Sequence, residues 1–234
     1  MSQLNQQSAG RSSRLLRIAA SAAIILTTSA AGLSAAKASE CAPPHGFVET
    51  AAPDVAPTEQ LVAHTEEITI DRPLAVVVEA DSKTSLKAAI HKAGSLPGVS
   101  GDYRLNAITP GTPGAKHIVC LTDGSTLVEQ ILVRDLTKTS YRFRYVVWNY
   151  TTAQARPIEY GVGEFRYSQI GQGRTHIVWT YAFKLKDHEF PGSLGALGGF
   201  LFQVGFLDRQ YAAMMRGTLE NSRAAAEKLP AAGG

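Results

Sequence analysis

The chain has 234 residues, 23 of them basic and 20 acidic, with 44% hydrophobic residues. That length holds one large domain or two small ones, and nothing beyond the N-terminus marks a second, so one core domain is expected. Four of the basic residues (Arg11, Arg14, Arg17 and Lys37) and none of the acidic ones precede residue 39, so the remainder is near neutral, which excludes a global attraction to nucleic acid or to an anionic membrane.

Residues 1–38 read as a secretory signal. The three arginines form a basic n-region, residues 18–33 an apolar h-region, and Ala36, Lys37 and Ala38 an A-x-A cleavage site. Ser21, Thr27, Thr28 and Ser29 interrupt the apolar run, which falls short of the ~20 residues a membrane span requires. Glu40 just ahead of Cys41 argues against lipoprotein processing. A periplasmic or secreted product cleaved near Ala38, with no integral membrane span, is therefore expected. Cys41 and Cys120 remain after cleavage, in a compartment where disulfides form. Residues 39–61, with Pro43, Pro44, Pro53 and Pro57 and no periodicity, read as an irregular Pro-rich arm.

Residues 64–70 alternate as a first strand. Pro73 suits a first helical turn and leads into two short helices over 74–79 and 85–92. A loop over 94–102 precedes a strand over 103–109. Strands over 117–122 and 126–135 flank Asp123 and Gly124, a two-residue type I′ turn signal. Such a turn sets Ile118 opposite Glu129 and Cys120 opposite Leu127. Cys120 then points inward as a small buried hydrophobe, and a bridge to Cys41 would require the arm to reach the interior. Strands over 140–150, 160–168 and 175–186 complete an antiparallel meander. In residues 195–229, Leu197, Phe200, Leu201, Val204, Leu207, Tyr211, Met215 and Leu219 recur at helical spacing, which predicts one long amphipathic helix with that face buried. The glycine-rich residues 192–199 lack the lysine of a phosphate loop and read as a hinge at its entrance.

The order of elements and the strand chemistry of Asp123-Gly124 leading into TLVEQILVRD (126–135), SYRFRYVV (140–147) and RTHIVWTYAF (174–183) resemble the START-like helix-grip (SRPBCC) superfamily, in particular its polyketide cyclase/dehydrase and lipid transport branch. The resemblance implies an α+β helix-grip fold over residues 62–229, with a tail at 230–234. It implies a curved antiparallel sheet of about seven strands around a long C-terminal helix, enclosing a hydrophobic cavity for lipids, sterols, polyketides or plant hormones. In the similar abscisic acid receptors a glutamate of the corresponding strand lines the ligand pocket, which implies the same place for Glu129.

Strand parity sorts the candidates independently. On 140–150 the odd positions Tyr141, Phe143, Tyr145 and Val147 form the inner row, and on 126–135 Leu127, Glu129, Ile131 and Val133 do. Glu129 is the single acid in an apolar row, where desolvation raises its pKa and suits it to proton transfer or to bonding a ligand hydroxyl. Ile177, Trp179, Tyr181 and Phe183 form an aromatic face with Phe165 and Tyr167 beside them, explicable as core packing or as cavity wall. The expected ligand-binding set is Tyr103, Glu129, Phe143, Tyr145, Phe165, Trp179, Tyr181, Phe200, Val204 and Tyr211. His117 and His176 fall on the solvent parity. The six histidines and two cysteines show no metal-ligand spacing, so neither a metal nor another cofactor is expected. These features favour an exported binding protein whose partner is a hydrophobic or amphipathic small molecule, without nucleic acid. The alternative is a cyclase/aromatase-like enzyme using Glu129 as general acid/base with Tyr145.

Overall fold

The computed structural model describes residues 41–58 and 61–230; the expected signal segment with its cleavage site at Ala38, and the last four residues of the tail, lie outside them. Strand β1 (Val62–Ile70) is followed by helices α1 (Leu74–Lys83) and α2 (Leu86–Ala89), six strands, and a long C-terminal helical stretch. The strands are β2 (Val99–Arg104), β3 (Lys116–Leu121), β4 (Thr126–Leu136), β5 (Ser140–Trp148), β6 (Ile158–Ile170) and β7 (Arg174–Leu185). They form one seven-stranded antiparallel sheet in the order β1-β7-β6-β5-β4-β3-β2. Successive hairpins build β2 to β7, and β1 closes on β7, so α1 and α2 carry the chain from one edge to the other. The stretch ends in α3 (Ala196–Phe202), a π-helical segment (Gln203–Tyr211) and α4 (Ala212–Lys228). This is an α+β helix-grip fold. Among the described residues no helix is long and apolar enough to cross a membrane.

Local chemistry accounts for most elements. Pro73 precedes α1, and the Ser85 hydroxyl accepts from the Ala88 N–H at 3.3 Å to cap α2. The alternation on β7 buries Ile177, Trp179, Tyr181 and Phe183 against Leu207, Met215 and Leu219 of the C-terminal helix. Strand β2 lies over Val99–Arg104, earlier than the expected 103–109; the Leu105 N–H still donates to Lys116 O at 2.9 Å, and the Asn106 side chain then donates to Gly114 O at 2.8 Å and accepts from the Lys116 N–H at 3.2 Å where the ladder ends.

The β3–β4 turn differs from the expected two-residue loop. Gly124 takes a positive φ of 84° while Asp123 does not, and the Asp123 carboxylate accepts from the Ser125 N–H at 3.0 Å. The Leu121 N–H donates to Ser125 O at 2.8 Å, closing a three-residue loop with glycine in the left-handed position. Register shifts by one: His117 faces Glu129, Ile118 faces Val128, and Cys120 faces Thr126. A one-residue shift moves side chains to the opposite face. Cys120 therefore lies on the outer face, where it is bonded to Cys41 with 5.7 Å between Cα atoms. Gly101 stands opposite Cys120, and a Cβ there would come within 3.1 Å of Cys41 Cβ. The arm thus reaches Cys120 without entering the interior. It covers a second apolar cluster, in which Phe47, Ala52 and Val55 pack over Ile118, Val146, Trp148, Tyr160 and Val162.

The start of the C-terminal helix also differs. Phe200 is 59% exposed and Val204 37%, whereas Phe202 and Phe206 pack inward. The π-helical turns between Gln203 and Tyr211 hold more residues per turn than an α-helix, so the apolar positions before and after them do not share one α-helical face. Within residues 192–199 a Cβ on Gly198 would lie 1.8 Å from Pro191 O, so α3 packs closely against the preceding backbone, whereas Gly195, at φ 57°, has open space around it.

Candidate functional site

Two glycines of β6 make room for an aromatic floor. Gly163 pairs with Tyr145, and a Cβ on it would fall 2.1 Å from Tyr145 Cζ. At Gly161 a Cβ would come within 2.7 Å of the Tyr181 ring and 2.8 Å of the Tyr150 hydroxyl. Large rings therefore lie where ordinary β-carbons would stand. Phe165 stacks on Trp179 at 4.5 Å, and Tyr181 meets Tyr145 at 5.9 Å and Tyr211 at 4.9 Å.

Between this floor and the helices lie two adjoining chambers of about 130 Å³ and 440 Å³, both lined by Leu86, Ile90, Glu129, Tyr145 and Trp179. The smaller is apolar, walled by Leu127, Val147, Phe183, Phe206 and Met214 with Tyr150, Tyr181 and Tyr211. The larger carries polar groups: Asp81, Asp102, His117, Arg134, Tyr141 and Tyr167, beside Phe143 and Phe165. At its far end the Tyr167 hydroxyl donates to the Asp81 carboxylate at 2.8 Å and Ser222 bonds the other oxygen. Burial raises the Asp81 pKa despite those two bonds.

Glu129 sits at the junction, on β4 between Val147 of β5 and His117 of β3. Its side chain is buried, and desolvation, reinforced by the charge of Asp102, pushes its pKa up to about 8. Glu129 Oε1 lies 3.4 Å from His117 Nε2, and burial lowers the His117 pKa. At neutral pH the junction is therefore a protonated carboxyl facing a neutral imidazole, an arrangement able to give a proton at one atom and take one at the other. Burial also raises the Tyr145 phenol well above its usual value, with the Glu129 charge adding to the effect. Tyr145 pairs with Ile131, one step along from Glu129.

Of the expected set, Glu129, Phe143, Tyr145, Phe165, Trp179, Tyr181 and Tyr211 meet at the two chambers. Tyr103 does not: it pairs with Ile118 on the outer face and is 43% exposed. Phe200 and Val204 project from the start of the helix, away from the chambers. His117, expected in solvent, lines the larger chamber because of the altered hairpin register, whereas His176 stays on the outer side against Thr69. A bulge between Ile131 and Val133 ends the inner parity of β4 there and turns Arg134, opposite Phe143, into the larger chamber in place of Val133. Asn149, with φ 59°, reverses the chain after β5 and brings Tyr150 to the smaller chamber. Asparagine is among the residues that adopt this conformation, so that signal was present in the sequence; nothing there marks the bulge.

The sequence matches no protein-family model and no curated protein. Solved structures similar to the chain include the di-domain aromatase/cyclase StfQ of the steffimycin biosynthetic pathway, at 15% identity and a TM-score of 0.52, covering 73% of this chain and 52% of that one. A START superfamily protein from Mycobacterium smegmatis is similar at 8% identity and TM-score 0.49, over 72% of this chain and 99% of that one. The Zhui aromatase/cyclase from Streptomyces sp. R1128 is similar at 17% identity and TM-score 0.47, over 74% and 98%. The strand order and the likeness to StfQ give this chain a START-like (SRPBCC) fold.

Proposed function

We propose that the protein binds a hydrophobic or amphipathic small molecule of lipid, sterol or polyketide-like character between the sheet and the C-terminal helix. The observation that carries this is the pair of chambers meeting at Glu129, Tyr145 and Trp179: apolar walls with a few convergent polar groups are the usual composition of a small-molecule site. Phe143, Phe165, Tyr181 and Tyr211 supply wall area, and Glu129 fixes orientation. The chain acts as an exported carrier or sensor, a reading supported by the signal-like pattern of residues 1–38 and by the Cys41–Cys120 disulfide, which is at home in an oxidising compartment. Native mass spectrometry and lipid extraction of the purified protein test the reading, together with an apolar fluorescent dye. A co-purifying apolar molecule, or a dye signal weakened at least about tenfold by Tyr145→Ala, is expected. Neither a bound molecule nor a dye signal would remove its basis.

A second reading is favoured by one specific observation, the Glu129–His117 approach of 3.4 Å. In a cyclase/aromatase-like reaction, protonated Glu129 would give a proton to a substrate carbonyl or departing hydroxyl while His117 Nε2 takes one from carbon, with Tyr145 orienting the substrate. Glu129→Gln is then expected to abolish turnover of a reactive polyketone while leaving its Kd within about threefold. Equal loss of binding and turnover would assign Glu129 to binding alone.

A further inference from the structure

Six buried side-chain nitrogen or oxygen atoms lack a hydrogen-bond partner among the described residues. Three are Nε atoms of Arg72, Arg142 and Arg144. Each belongs to a guanidinium engaged by other means: Arg72 with the Asp71 and Glu227 carbonyls, Arg142 and Arg144 with Glu164. The remaining three are His117 Nε2, the Tyr150 hydroxyl and Trp179 Nε1, and all three residues line the chambers. His117 Nε2 at least faces Glu129. Tyr150 and Trp179, both on the smaller chamber, neighbour the Tyr181 and Tyr145 hydroxyls respectively, but neither atom has a partner in good hydrogen-bonding geometry.

Elsewhere in the molecule the same groups are served. The other tryptophan, Trp148, donates from Nε1 to Thr50 Oγ1 at 2.9 Å. The Tyr160 hydroxyl accepts from Ala56 N at 3.1 Å, and the Tyr167 hydroxyl donates to Asp81. An indole N–H can only donate, and Trp179 is 1% exposed, so a well-aligned partner other than the neighbouring Tyr145 hydroxyl has to enter the chamber and has to be an acceptor. Leaving such a buried donor facing a hydrocarbon incurs its full desolvation penalty, whereas an oxygen acceptor removes that penalty.

We propose that the Trp179 indole N–H and the Tyr150 hydroxyl are specificity-determining donors, so that the cavity selects a hydrophobic ligand carrying oxygen acceptors, a ring ketone being the simplest, over a hydrocarbon of the same shape. This rests on the cavity reading above and narrows it, because a ligand that enters the smaller chamber with an unadorned hydrocarbon portion leaves both donors unpaired.

The matched pair 9-fluorenone and fluorene, which differ by a carbonyl in place of a methylene, tests it by displacement of a bound apolar dye from the purified protein. The expected result is a Kd for fluorenone at least about tenfold below that for fluorene, although fluorene is the more hydrophobic of the two. Tyr150→Phe and Trp179→Phe should each shrink the preference, and the double variant abolish it, read as the ratio of the fluorene and fluorenone Kd values measured within each variant. If Trp179→Phe loses its cooperative thermal transition, Tyr150→Phe, which removes a single unpartnered oxygen, decides alone. Equal affinity of the two probes in the unaltered protein, or a preference that survives Tyr150→Phe undiminished, overturns the inference and leaves the cavity reading standing. Failure of both probes to displace the dye overturns the inference; failure of the dye itself to bind overturns both.

Discussion

Glu129 is a carboxyl group with an imidazole on one side, a valine on the other and, among the described residues, no lysine or arginine in ion-pair reach, and its protonation is therefore coupled to folding. Its pKa rises from 4.5 to about 8 on burial, so between those values the folded state holds a proton that the unfolded state has released, and stability falls as pH rises. His117 works in the opposite sense: its pKa is lowered from 6.5 by burial, so it costs stability only below about pH 6.5. Above that point it is neutral in both states. In the window from about 6.5 to 8 the Glu129 proton still separates the two states while His117 no longer does, and its contribution should lower the unfolding free energy by up to about 1.4 kcal/mol per pH unit. Urea unfolding across pH 6.5–8.5 measures the slope, and Glu129→Gln should flatten it; an equal slope in the variant would mean that the carboxyl is solvated after all. A second residue-scale prediction concerns Gly163, whose missing Cβ would lie 2.1 Å from Tyr145 Cζ. Gly163→Ala must push the Tyr145 ring off its seat, costing about 1–3 kcal/mol and most of the dye binding; an unchanged dye Kd would place the ring's role elsewhere. Glu129 was legible because strand alternation needs only the parity of one strand. His117 was not, because its face depends on a register set by the Asp123 side-chain bond to Ser125 and the left-handed Gly124 together, and the pair Asp-Gly fits a two-residue turn equally well.

At the scale of elements, the C-terminal helical stretch is where simple periodicity fails most. Leu207, Met215 and Leu219 are buried as their spacing predicts, but the π-helical segment Gln203–Tyr211 changes the phase, so that Phe202 and Phe206 face the sheet and Phe200 and Val204 face out. Helical-face arguments assume ~3.6 residues per turn throughout, and nothing in QVGFLDRQY announces the wider turns. The segment carries Phe206 and Tyr211 to the smaller chamber, so its geometry serves the cavity rather than the helix. Gly205 lies inside it with open space where a Cβ would be. Gly205→Ala should therefore stabilise the fold by about 0.5–1 kcal/mol through reduced backbone freedom of the unfolded chain, measured by urea unfolding. Destabilisation instead would show that the π-turns need glycine. The hairpins were easier to read: β5 to β7 stand within a few residues of their expected bounds, since each is an alternating run closed by a polar or glycine-bearing turn.

For the molecule as a whole, the sheet is covered on both faces, by the C-terminal helix inside and by the arm outside. A sheet with a cavity on its inner side gains less packing there than a filled core provides, and the outer cluster of Ile118, Val128, Val146, Trp148, Tyr160 and Val162 supplies a compensating apolar layer. That layer is buried only while the arm stays down. The arm itself has no regular element among residues 41–58 beyond turns, and it is held by the Cys41–Cys120 bond, the Trp148–Thr50 and Ala56–Tyr160 hydrogen bonds and the ion pair of Lys116 with Glu49. Its irregular sequence gave no period from which to infer a partner surface, which is why its role was invisible before the register of β3 was known. The disulfide closes a loop of 79 residues, and in the chain-entropy account removing it should cost about 4–5 kcal/mol. Urea unfolding with and without dithiothreitol measures this, with the Cys41→Ser, Cys120→Ser double variant as the second route to the same state. Both should unfold at lower urea and expose the outer cluster to an apolar dye, and because that face is separated from the chambers by the sheet, affinity for a ligand in the cavity should change far less than stability. If reduction leaves the urea midpoint unchanged, the arm is held by its packing and hydrogen bonds alone; if it abolishes ligand binding while the fold persists, the two faces are coupled through β3 and β4, the strands that carry Cys120 and His117 on one side of the turn and Glu129 on the other.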